Sequence, residues 1–395
     1  MSSDIKKTLL ITLDFPPNFG GVAAYYYHFC RNLPPDKIVV LAPEQIGAKN
    51  FDRLNRFPVI RKKILKQFPQ TWPKGMAGVL KLAATIKWLS LIKSINQIIK
   101  SHQVEQIIAG QVLPIGTLAL LNFRRRKMPY LIFAHGLDIL LPQKYLRKKT
   151  LLKKILNQAK TVVANSHFTK DEVIKLGVSS EKIIVVNPCP AIMPEMAAEP
   201  LMNQLRKELD LNNKKILLTV GRLVERKGHD FVIKSLPKII KAAPNVFYLI
   251  VGDGPERQRL QTLVNELSLA DYVKFVGRAS ENDLACFYSL CDIFIMPARE
   301  LANGDVEGFG IVYLEANLFG KPVIGGRSGG VGEAIIGGKT GLLVNPLNQV
   351  EITKAAIHLL TDDAYAQRLG LQGLERVSNE FDWPSQVEKI KEVLK

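Results

Sequence analysis

The sequence predicts an α/β protein with two doubly wound, Rossmann-like domains that face each other across a cleft. The chain has 395 residues, which suits two domains of just under 200 residues each. Short apolar runs rich in β-branched residues alternate with helical stretches, and such runs are typical of parallel strands buried on both faces. The runs form one series in each half of the chain. Each series therefore predicts one sheet, with a ligand crevice at the carboxyl ends of its strands.

The predicted strands divide equally between the two halves. The first six are Leu9–Leu13, Ile38–Leu41, Gln106–Ala109, Tyr130–Ala134, Thr161–Ala164 and Lys182–Val186. The second six are Lys215–Val220, Val246–Val251, Val273–Val276, Ile293–Met296, Pro322–Ile324 and Gly341–Val344. The helical stretches between them supply the crossover connections that a parallel sheet requires.

Prolines mark the boundary between the two halves. Four of them crowd residues 187–213, namely Pro188, Pro190, Pro194 and Pro200. Because proline fixes φ and lacks an amide donor, we expect a restrained linker without a continuous helix. The predicted N-terminal domain spans 1–190, the linker 191–213 and the C-terminal domain 214–383. A closing helix at about 384–395 is expected to pack back on the first domain.

Composition excludes several classes of protein. Apolar residues make up 47% and charged residues 23% of the chain, which is ordinary for a globular protein and argues against disorder. The four cysteines form no CxxC pair and lack metal-ligand spacing, so we expect free thiols in a reducing cytosol. The apolar run at 8–13 is too short for a signal-peptide core. No run of 18 uncharged apolar residues occurs that would predict a membrane-spanning helix.

Charge is distributed unevenly along the chain. Residues 1–200 contain 30 Lys or Arg and 12 Asp or Glu, whereas residues 201–395 contain 24 of each. The entire net charge of +18 therefore lies in the first half. This asymmetry predicts that the N-terminal domain meets an anionic partner while the C-terminal domain binds a small ligand.

Two consecutive glycines follow the first predicted strand. Gly20 and Gly21 end the segment Phe15-Pro-Pro-Asn-Phe-Gly-Gly21. They allow backbone N–H groups to approach an anion closely, and the following helix presents its positive end to that anion. A plain loop that needs positive φ angles explains the same residues equally well.

A cationic loop follows the predicted strand Lys215–Val220. It reads Gly221-Arg-Leu-Val-Glu-Arg-Lys227-Gly228. Arg222 and Lys227 would lie at the mouth of the crevice, where a planar guanidinium and a mobile ammonium can together neutralise a diphosphate. Since surface Arg and Lys are usually just solvated, this interpretation depends on the position of the loop after a strand.

Two carboxylates lie eight residues apart in Glu307-Gly-Phe-Gly-Ile-Val-Tyr-Leu-Glu315. If a helix begins near Gly310, the side chain of Glu315 points back toward the start of that helix. The free N–H groups of Phe309, Gly310 and Ile311 would then face a phosphate, with Glu307 beside a sugar. An isolated carboxylate pair at this spacing is common. The preceding strand and the neighbouring glycines favour a binding site.

In order and spacing, these motifs resemble those of retaining GT-B glycosyltransferases of family 4. The resemblance covers nearly the whole chain and is closest from about 215 to 345. It rests on Gly20-Gly21, the Gly221-Arg222…Lys227-Gly228 loop, Val251-Gly-Asp-Gly-Pro255, Val276-Gly-Arg278 and Glu307-x7-Glu315. The segment from Asp305 to Ala316 looks most like lipid-modifying mannosyltransferases of the phosphatidylinositol mannoside type. Family members often carry Asn/Ser-Gly-Val-Asp where this chain has Asn187-Pro-Cys-Pro190, so this turn supports no acceptor assignment.

The resemblance implies a role for each matched residue of the C-terminal domain. Arg222 and Lys227 would bind the donor diphosphate, and Glu315 would bind the ribose hydroxyls. Glu307 would contact the transferred hexose near its reacting end. Gly277-Arg278 would meet the base, largely through backbone atoms.

One matched residue belongs to the N-terminal domain. By the resemblance, His135 in Ala134-His-Gly-Leu-Asp138 approaches the donor sugar. Taken alone, His135 is better interpreted as a helix-capping or core histidine. The predicted catalytic residues are His135, Arg222, Lys227 and Glu307.

The resemblance also implies the chemistry. We expect transfer of a hexose with retention of anomeric configuration, the leaving diphosphate being stabilised by Arg222, Lys227 and the helix N-terminus. No Asp-x-Asp element that would hold a divalent metal occurs, so we expect neither a metal nor a cofactor beyond the nucleotide-sugar co-substrate. The favoured donor is GDP-mannose and the favoured acceptor is lipid-linked or a glycan. UDP-glucose or UDP-N-acetylglucosamine is the alternative donor.

Basic clusters suggest a surface for an anionic membrane. They are Arg61-Lys-Lys63, Arg124-Arg-Arg-Lys127, Lys144–Lys149 and Lys153-Lys154. The apolar stretch Ala77–Lys100 contains Lys81, Lys87 and Lys93, which point in three directions on a helix. It therefore fits a packed domain helix at least as well as an interfacial one. We expect a cytoplasmic protein, with peripheral attachment to the inner face of the membrane as an open alternative.

Three rival functions are less consistent with the sequence. A UDP-sugar epimerase of the same architecture would need a general acid/base pair, which His135 and Glu307 do not clearly supply. A dinucleotide-dependent dehydrogenase would need G-x-G-x-x-G after a strand, and Gly252-Asp-Gly254-Pro lacks the third glycine. A nucleic-acid-binding protein would explain the positive charge, but the basic clusters show no aromatic interleaving and no recognised motif. Nucleic acid is therefore not an expected partner.

Overall fold

A computed structural model describes residues 5–17, 20–66 and 78–395 of the chain. These residues form two compact units. The first contains Met1–Asn187 and Trp383–Lys395, and the second contains Pro188–Asp382. Each unit has its own sheet, so each is described by itself.

Among the described residues of the first unit, seven parallel strands form one sheet. They are β1 (Thr8–Ile11), β2 (Ile38–Pro43), β3 (Val59–Lys62), β4 (Gln106–Ala109), β5 (Tyr130–Ala134), β6 (Thr161–Ala164) and β7 (Ile183–Val185). Their order is β3-β2-β1-β4-β5-β6-β7. The helices are α1 (Gly21–Arg31), α2 (Ala48–Arg53), α3 (Lys63–Lys66), α4 (Gly78–Ser101), α5 (Ile115–Arg126), α6 (Leu137–Leu140), α7 (Leu146–Gln158) and α8 (His167–Lys175).

The sequence did not predict β3, the edge strand of this sheet. It pairs with β2 from Val40↔Val59 to Pro43↔Lys62, yet its four residues are only partly buried. Arg61 is the reason that the apolar pattern fails here. Its guanidinium lies 2.7 Å from a carboxylate oxygen of Asp52, and its side chain is only 10% exposed. Arg61 is therefore a structural residue and not part of the basic surface cluster predicted at 61–63.

The second unit has a parallel sheet of its own. Six strands are described, β8 (Lys215–Val220), β9 (Val246–Val251), β10 (Val273–Gly277), β11 (Ile293–Met296), β12 (Val323–Gly326) and β13 (Gly341–Val344), in the order β10-β9-β8-β11-β12-β13. The helices are α9 (Glu199–Glu208), α10 (His229–Ala242), α11 (Arg257–Glu266), α12 (Glu281–Leu290), α13 (Ile311–Leu318), α14 (Val331–Ala334), α15 (Gln349–Thr361) and α16 (Asp363–Glu380).

The stretch 191–213, predicted as a linker, is part of the second unit and contains helix α9. The crowded prolines permit this helix because Pro200 occupies its first turn, where an amide donor is not needed. The closing helix α17 (Trp383–Leu394) belongs to the first unit. The amide of Lys6 donates to the carbonyl of Leu394 (2.9 Å), which fastens the end of α17 beside β1.

The strand order determines which loops can build a site. In the second unit the chain runs outward from β8 to β10 and then returns to β11 beside β8. A parallel sheet has its ligand crevice at such a reversal, outside the carboxyl ends of the strands. The loops after β8 and β11 therefore flank the crevice, and these loops carry the cationic and the acidic motifs. In the part of the chain that the structure describes, no helix is both long and apolar enough to cross a membrane.

Candidate functional site

The cationic loop of the second unit begins at the end of β8 and leads into α10. Gly221 adopts a φ of 152°, and its amide donates to the carbonyl of Val251 at the end of β9 (2.9 Å). Arg222 is exposed. A single 3₁₀ turn then buries Lys227, which is only 8% exposed. The two predicted phosphate-binding cations thus differ, one being exposed at the surface and the other buried.

Gly228 brings this loop against the segment that follows β11. Its φ is 76°, and a Cβ at this position would lie 2.3 Å from the carbonyl oxygen of Pro297. Only glycine tolerates both the left-handed backbone and this close approach. The amide of Arg299 also donates to the carbonyl of Arg226 (2.7 Å). The sequence predicted both loops but not this direct contact between them.

A buried ion pair fixes the same junction. The guanidinium of Arg299 binds both carboxylate oxygens of Asp230 at 2.8 and 3.2 Å, and both side chains are at most 7% exposed. Asp230 lies in the first turn of α10, where the helix dipole also favours a negative charge. Breaking one partner of a buried pair leaves an unpaired charge inside the protein, so we regard this pair as the structural anchor of the site.

Lys227 and Glu307, from the two predicted motifs, are in direct contact. The Nζ of Lys227 donates to a carboxylate oxygen of Glu307 at 2.6 Å. Arg226 donates to the same oxygen at 2.5 Å, and its Nε lies 3.1 Å from a carboxylate oxygen of Asp305. Two cations and two anions therefore form one compact network. Sequence reasoning assigned no role to Arg226 or Asp305, although both stand within the quoted motifs.

This network keeps Glu307 ionised. Burial acts to raise the pKa of Glu307, but the charges and hydrogen bonds of Lys227 and Arg226 lower it to about 2. Burial lowers the pKa of Lys227, an effect that Glu307 partly offsets. The pKa of Arg226 is raised, since the charges of Glu307 and Asp305 outweigh the effect of burial. At neutral pH the site therefore presents a fixed carboxylate with its cations already in place.

Helix α13 begins at Ile311, within the acidic motif, as predicted. Gly310 precedes it with a φ of 94°, and a Cβ there would lie 2.5 Å from the ring of Tyr313. Phe309 is buried, with its ring centroid 6.1 Å from that of Phe381. The side chain of Phe309 is therefore part of the core, which leaves the backbone groups of Phe309, Gly310 and Ile311 as the means by which this turn can bind an anion.

Glu315, the second carboxylate of the motif, lies in a different environment. It is buried in α13, and the hydroxyl of Tyr288 donates to its carboxylate at 2.7 Å. Burial raises the pKa of Glu315 to about 7, although the hydrogen bond from Tyr288 acts to lower it. Sequence reasoning missed Tyr288, because a tyrosine inside a helix carries no signal of its partner on another helix.

The predicted base segment lies at the end of β10. Gly277 has a φ of 89°, and its carbonyl accepts from the amide of Gly252 (2.7 Å) at the end of the neighbouring strand. Arg278 is exposed. This segment leads to Ser280, whose side chain caps α12 by accepting from the amide of Asp283. The segment is thus held at the crevice edge by its backbone, while the Arg278 side chain remains at the surface.

In the first unit, the predicted residues are Gly20, Gly21 and His135. Both glycines are exposed at the start of α1, whereas residues 18–19 of the same motif lie outside the described residues. The Nε2 of His135 lies 2.5 Å from the hydroxyl of Tyr26, and the His135 amide donates to Asp138 (2.8 Å). Burial lowers the pKa of His135 to about 4. His135 is therefore a neutral imidazole fixed by Tyr26 at the end of β5.

In comparisons with known proteins, each half of the chain matches a protein-family model. The family model described as "Glycosyl transferases group 1" matches residues 202–376, and the model described as "Glycosyltransferase Family 4" matches residues 19–189. The GDP-mannose-dependent alpha-(1-6)-phosphatidylinositol monomannoside mannosyltransferase of Mycolicibacterium smegmatis is 29% identical to this chain, over 98% of this chain and 97% of its own length.

A second relative and a solved structure agree with that match. The GDP-mannose-dependent monoacylated alpha-(1-6)-phosphatidylinositol monomannoside mannosyltransferase of Corynebacterium glutamicum is 30% identical over 98% of both chains. Anabaena HepE, solved in complex with UDP and glucose, matches with a TM-score of 0.80 at 21% identity, over 98% of this chain and 99% of that chain. The structural match confirms the predicted fold class of two Rossmann-like α/β domains.

Proposed function

Because this chain belongs to the group 1, family 4 glycosyltransferases, we propose that it transfers mannose from GDP-mannose to a lipid-linked or glycan acceptor. The proposal includes retention of anomeric configuration and independence of metal ions. The contact between Lys227 and Glu307 at the start of α13 carries it. This contact joins a phosphate-binding cation to a carboxylate at the carboxyl edge of the sheet, where a nucleotide sugar would bind.

The diphosphate would bind to the cationic side of this network. Arg222 is exposed at the mouth of the loop, whereas Lys227 is buried and already oriented by its contact with Glu307. The N-terminus of α13 adds backbone donors beside them. As the bond to the sugar breaks, negative charge develops on the diphosphate, and these fixed positive groups stabilise it without a metal ion.

The transferred sugar would lie beside Glu307. Positive charge develops at the anomeric carbon as the leaving group departs, and a carboxylate with a pKa of about 2 remains available to stabilise it. The neutral imidazole of His135 adds no opposing positive charge. A phosphate oxygen of the leaving group would accept the proton of the acceptor hydroxyl, so retention requires no protein nucleophile.

The donor base is the part of the proposal that a simple measurement can decide. The two mannosyltransferase relatives are named as GDP-mannose-dependent, whereas HepE was solved with UDP. We propose GDP-mannose because those two relatives share more sequence with this chain than HepE does. A ligand at about 100 times its dissociation constant stabilises a native protein by roughly 2.7 kcal/mol, which a thermal-shift assay detects.

The assay compares GDP with UDP, each with EDTA present. A thermal shift with GDP alone supports GDP-mannose as the donor. A shift with UDP alone supports transfer of glucose or N-acetylglucosamine instead of mannose. A shift that disappears with EDTA and returns with magnesium would overturn metal independence. If neither nucleotide shifts the transition, the donor site itself is wrongly assigned.

The proposal places the enzyme in the cytoplasm, peripherally bound to an anionic membrane through the basic surface at the start of α7. Leu146 is 81% exposed and Tyr145 52% exposed, and Lys144 and Arg147 beside them are also exposed. Apolar side chains within a cationic surface suit the interface of an anionic bilayer. In the stretch 77–100, residue 77 and the side chains of Lys81 and Lys87 lie outside the described residues.

Vesicle sedimentation tests this surface. Replacing Lys144, Arg147 and Lys153 by Gln should reduce binding to vesicles that contain anionic lipid at low salt. Replacing Lys234, Lys238 and Lys241, which are exposed on α10 of the other unit, removes the same charge as a matched control. Equal binding by both variants would favour an acceptor that is not held in a membrane.

A further inference from the structure

Tyr288 lies on α12, the helix that follows the predicted base segment. Its side chain is fully buried, and its ring packs near the rings of Phe294 and Phe319, with centroids at 6.0 and 5.5 Å. This packing leaves little rotational freedom. The hydroxyl therefore has one position, from which it donates to the carboxylate of Glu315 (2.7 Å) on α13.

We propose that Tyr288 is a positioning residue that holds the carboxylate of Glu315 for the ribose of the nucleotide donor. This inference rests on the proposed function, which assigns the ribose hydroxyls to Glu315. A carboxylate has two oxygens that only accept, and Tyr288 supplies one proton to one of them. The other oxygen remains for a ribose hydroxyl. Because Tyr288 already fixes the carboxylate, binding the ribose costs less side-chain entropy.

The hydroxyl also affects the charge of Glu315. The titratable groups that act on this carboxyl are Tyr288 and Glu281 on α12 and Lys227 on the loop before α10. Burial raises the pKa of Glu315 and Glu281 adds to that rise, whereas Tyr288 and Lys227 oppose it, and the net result is a pKa of about 7. Hydrogen bonds to an ionised carboxylate are stronger than those to a neutral carboxyl. Tyr288 therefore favours the form of Glu315 that binds hydroxyl groups more tightly.

The test is the affinity of the wild type and of Tyr288→Phe for GDP and UDP, measured by calorimetry from pH 5.5 to 9. At pH 7 the variant should bind the preferred nucleotide roughly fivefold to tenfold more weakly. Losing the hydrogen bond from Tyr288 raises the pKa of Glu315. As pH is lowered, the affinity of the variant for the nucleotide should therefore begin to fall at a higher pH than that of the wild type. The difference from wild type should shrink above pH 8.5, where Glu315 is ionised in both proteins.

Two control variants make the outcome decisive. Tyr248→Phe removes another buried tyrosine hydroxyl of the same unit, one that bonds Thr219 (2.8 Å), and should leave the pH midpoint unchanged. Glu315→Gln removes the titrating group and identifies the part of the pH dependence that belongs to the nucleotide. Combining Tyr288→Phe with Glu315→Gln should cost little more affinity than Glu315→Gln alone. A further loss as large as that of Tyr288→Phe in the wild-type background would mean that the hydroxyl does not act through Glu315 and would overturn the inference. If the wild type binds neither nucleotide, the proposed function fails as well.

Discussion

The two carboxylates of the acidic motif lie eight residues apart, Glu307 partly buried and Glu315 buried, and their surroundings give them opposite properties. Glu307 contacts two cations, and its pKa falls to about 2. Glu315 contacts a tyrosine hydroxyl, and its pKa rises to about 7. Burial acts to raise both, so the partners decide the outcome. Glu307 therefore keeps its charge at pH values well above 2, whereas Glu315 changes its charge near neutrality.

The largest effect is expected when the ionic network around Glu307 is disrupted. Lys227→Ala removes a buried cation from the diphosphate site and leaves Glu307 with Arg226 alone, so kcat/KM should fall by about 10²- to 10³-fold. Initial-rate kinetics with saturating acceptor provide the measurement. Lys234→Ala, an exposed lysine on α10, is the control. If Lys227→Ala kept wild-type activity, the assignment of Lys227 to the donor diphosphate would be wrong.

A smaller pair of effects should separate the two carboxylates by role. Glu307→Gln should lower kcat by about 10²-fold with little change in nucleotide affinity, because its charge acts on the reacting sugar. Glu315→Gln should weaken nucleotide affinity with a smaller effect on kcat. Steady-state kinetics together with calorimetric nucleotide titration distinguish these outcomes. Equal losses of affinity in both variants would show that the division of roles is wrong.

The smallest effect concerns the stability of the ligand-free protein. The folded pKa of Glu315 lies above the ordinary 4.5, so its ionisation costs stability as pH rises from about 4.5 through about 7. Glu307 has a lowered pKa and contributes stability above pH 4.5 that is lost as pH falls toward 2. Compared with wild type, Glu307→Gln should thus have a lower Tm at both pH 5 and pH 8, by roughly 2–4 °C. The Tm of Glu315→Gln relative to that of the wild type should rise from pH 5 to pH 8, because only the wild type then has to ionise a buried carboxyl.

Calorimetric scans at the two pH values check this prediction. The wild type supplies the reference at each pH, and Tyr248→Phe shows the cost of losing a buried polar contact that does not titrate in this range. A Tm difference for Glu315→Gln that is the same at pH 5 and pH 8 would contradict the raised pKa of Glu315.

The sequence predicted the strands well because a parallel strand that is buried on both faces is a short, nearly continuous apolar run. Twelve predicted runs coincide with strands to within about two residues, whereas β3 escaped because Arg61 interrupts its apolar pattern. The motifs proposed to bind phosphate could also be found locally, since each follows a strand. What could not be predicted was the pairing of side chains from distant elements. The sequence does not show that Tyr288 and Glu315 are partners, and only the fold brings the two side chains together.

The close approach at Gly228 has a consequence for how freely this protein can change. The position has no room for one methyl group, because the carbonyl of Pro297 lies 2.3 Å from where a Cβ would be. Three residues earlier, Glu225 is exposed, and its ion pair with Arg299 is long at 3.5 Å, so replacing Glu225 should cost little. At these two positions, mutational tolerance therefore depends on how closely the backbone is packed. A library that randomises the loop should return glycine at 228 in every active clone while position 225 drifts.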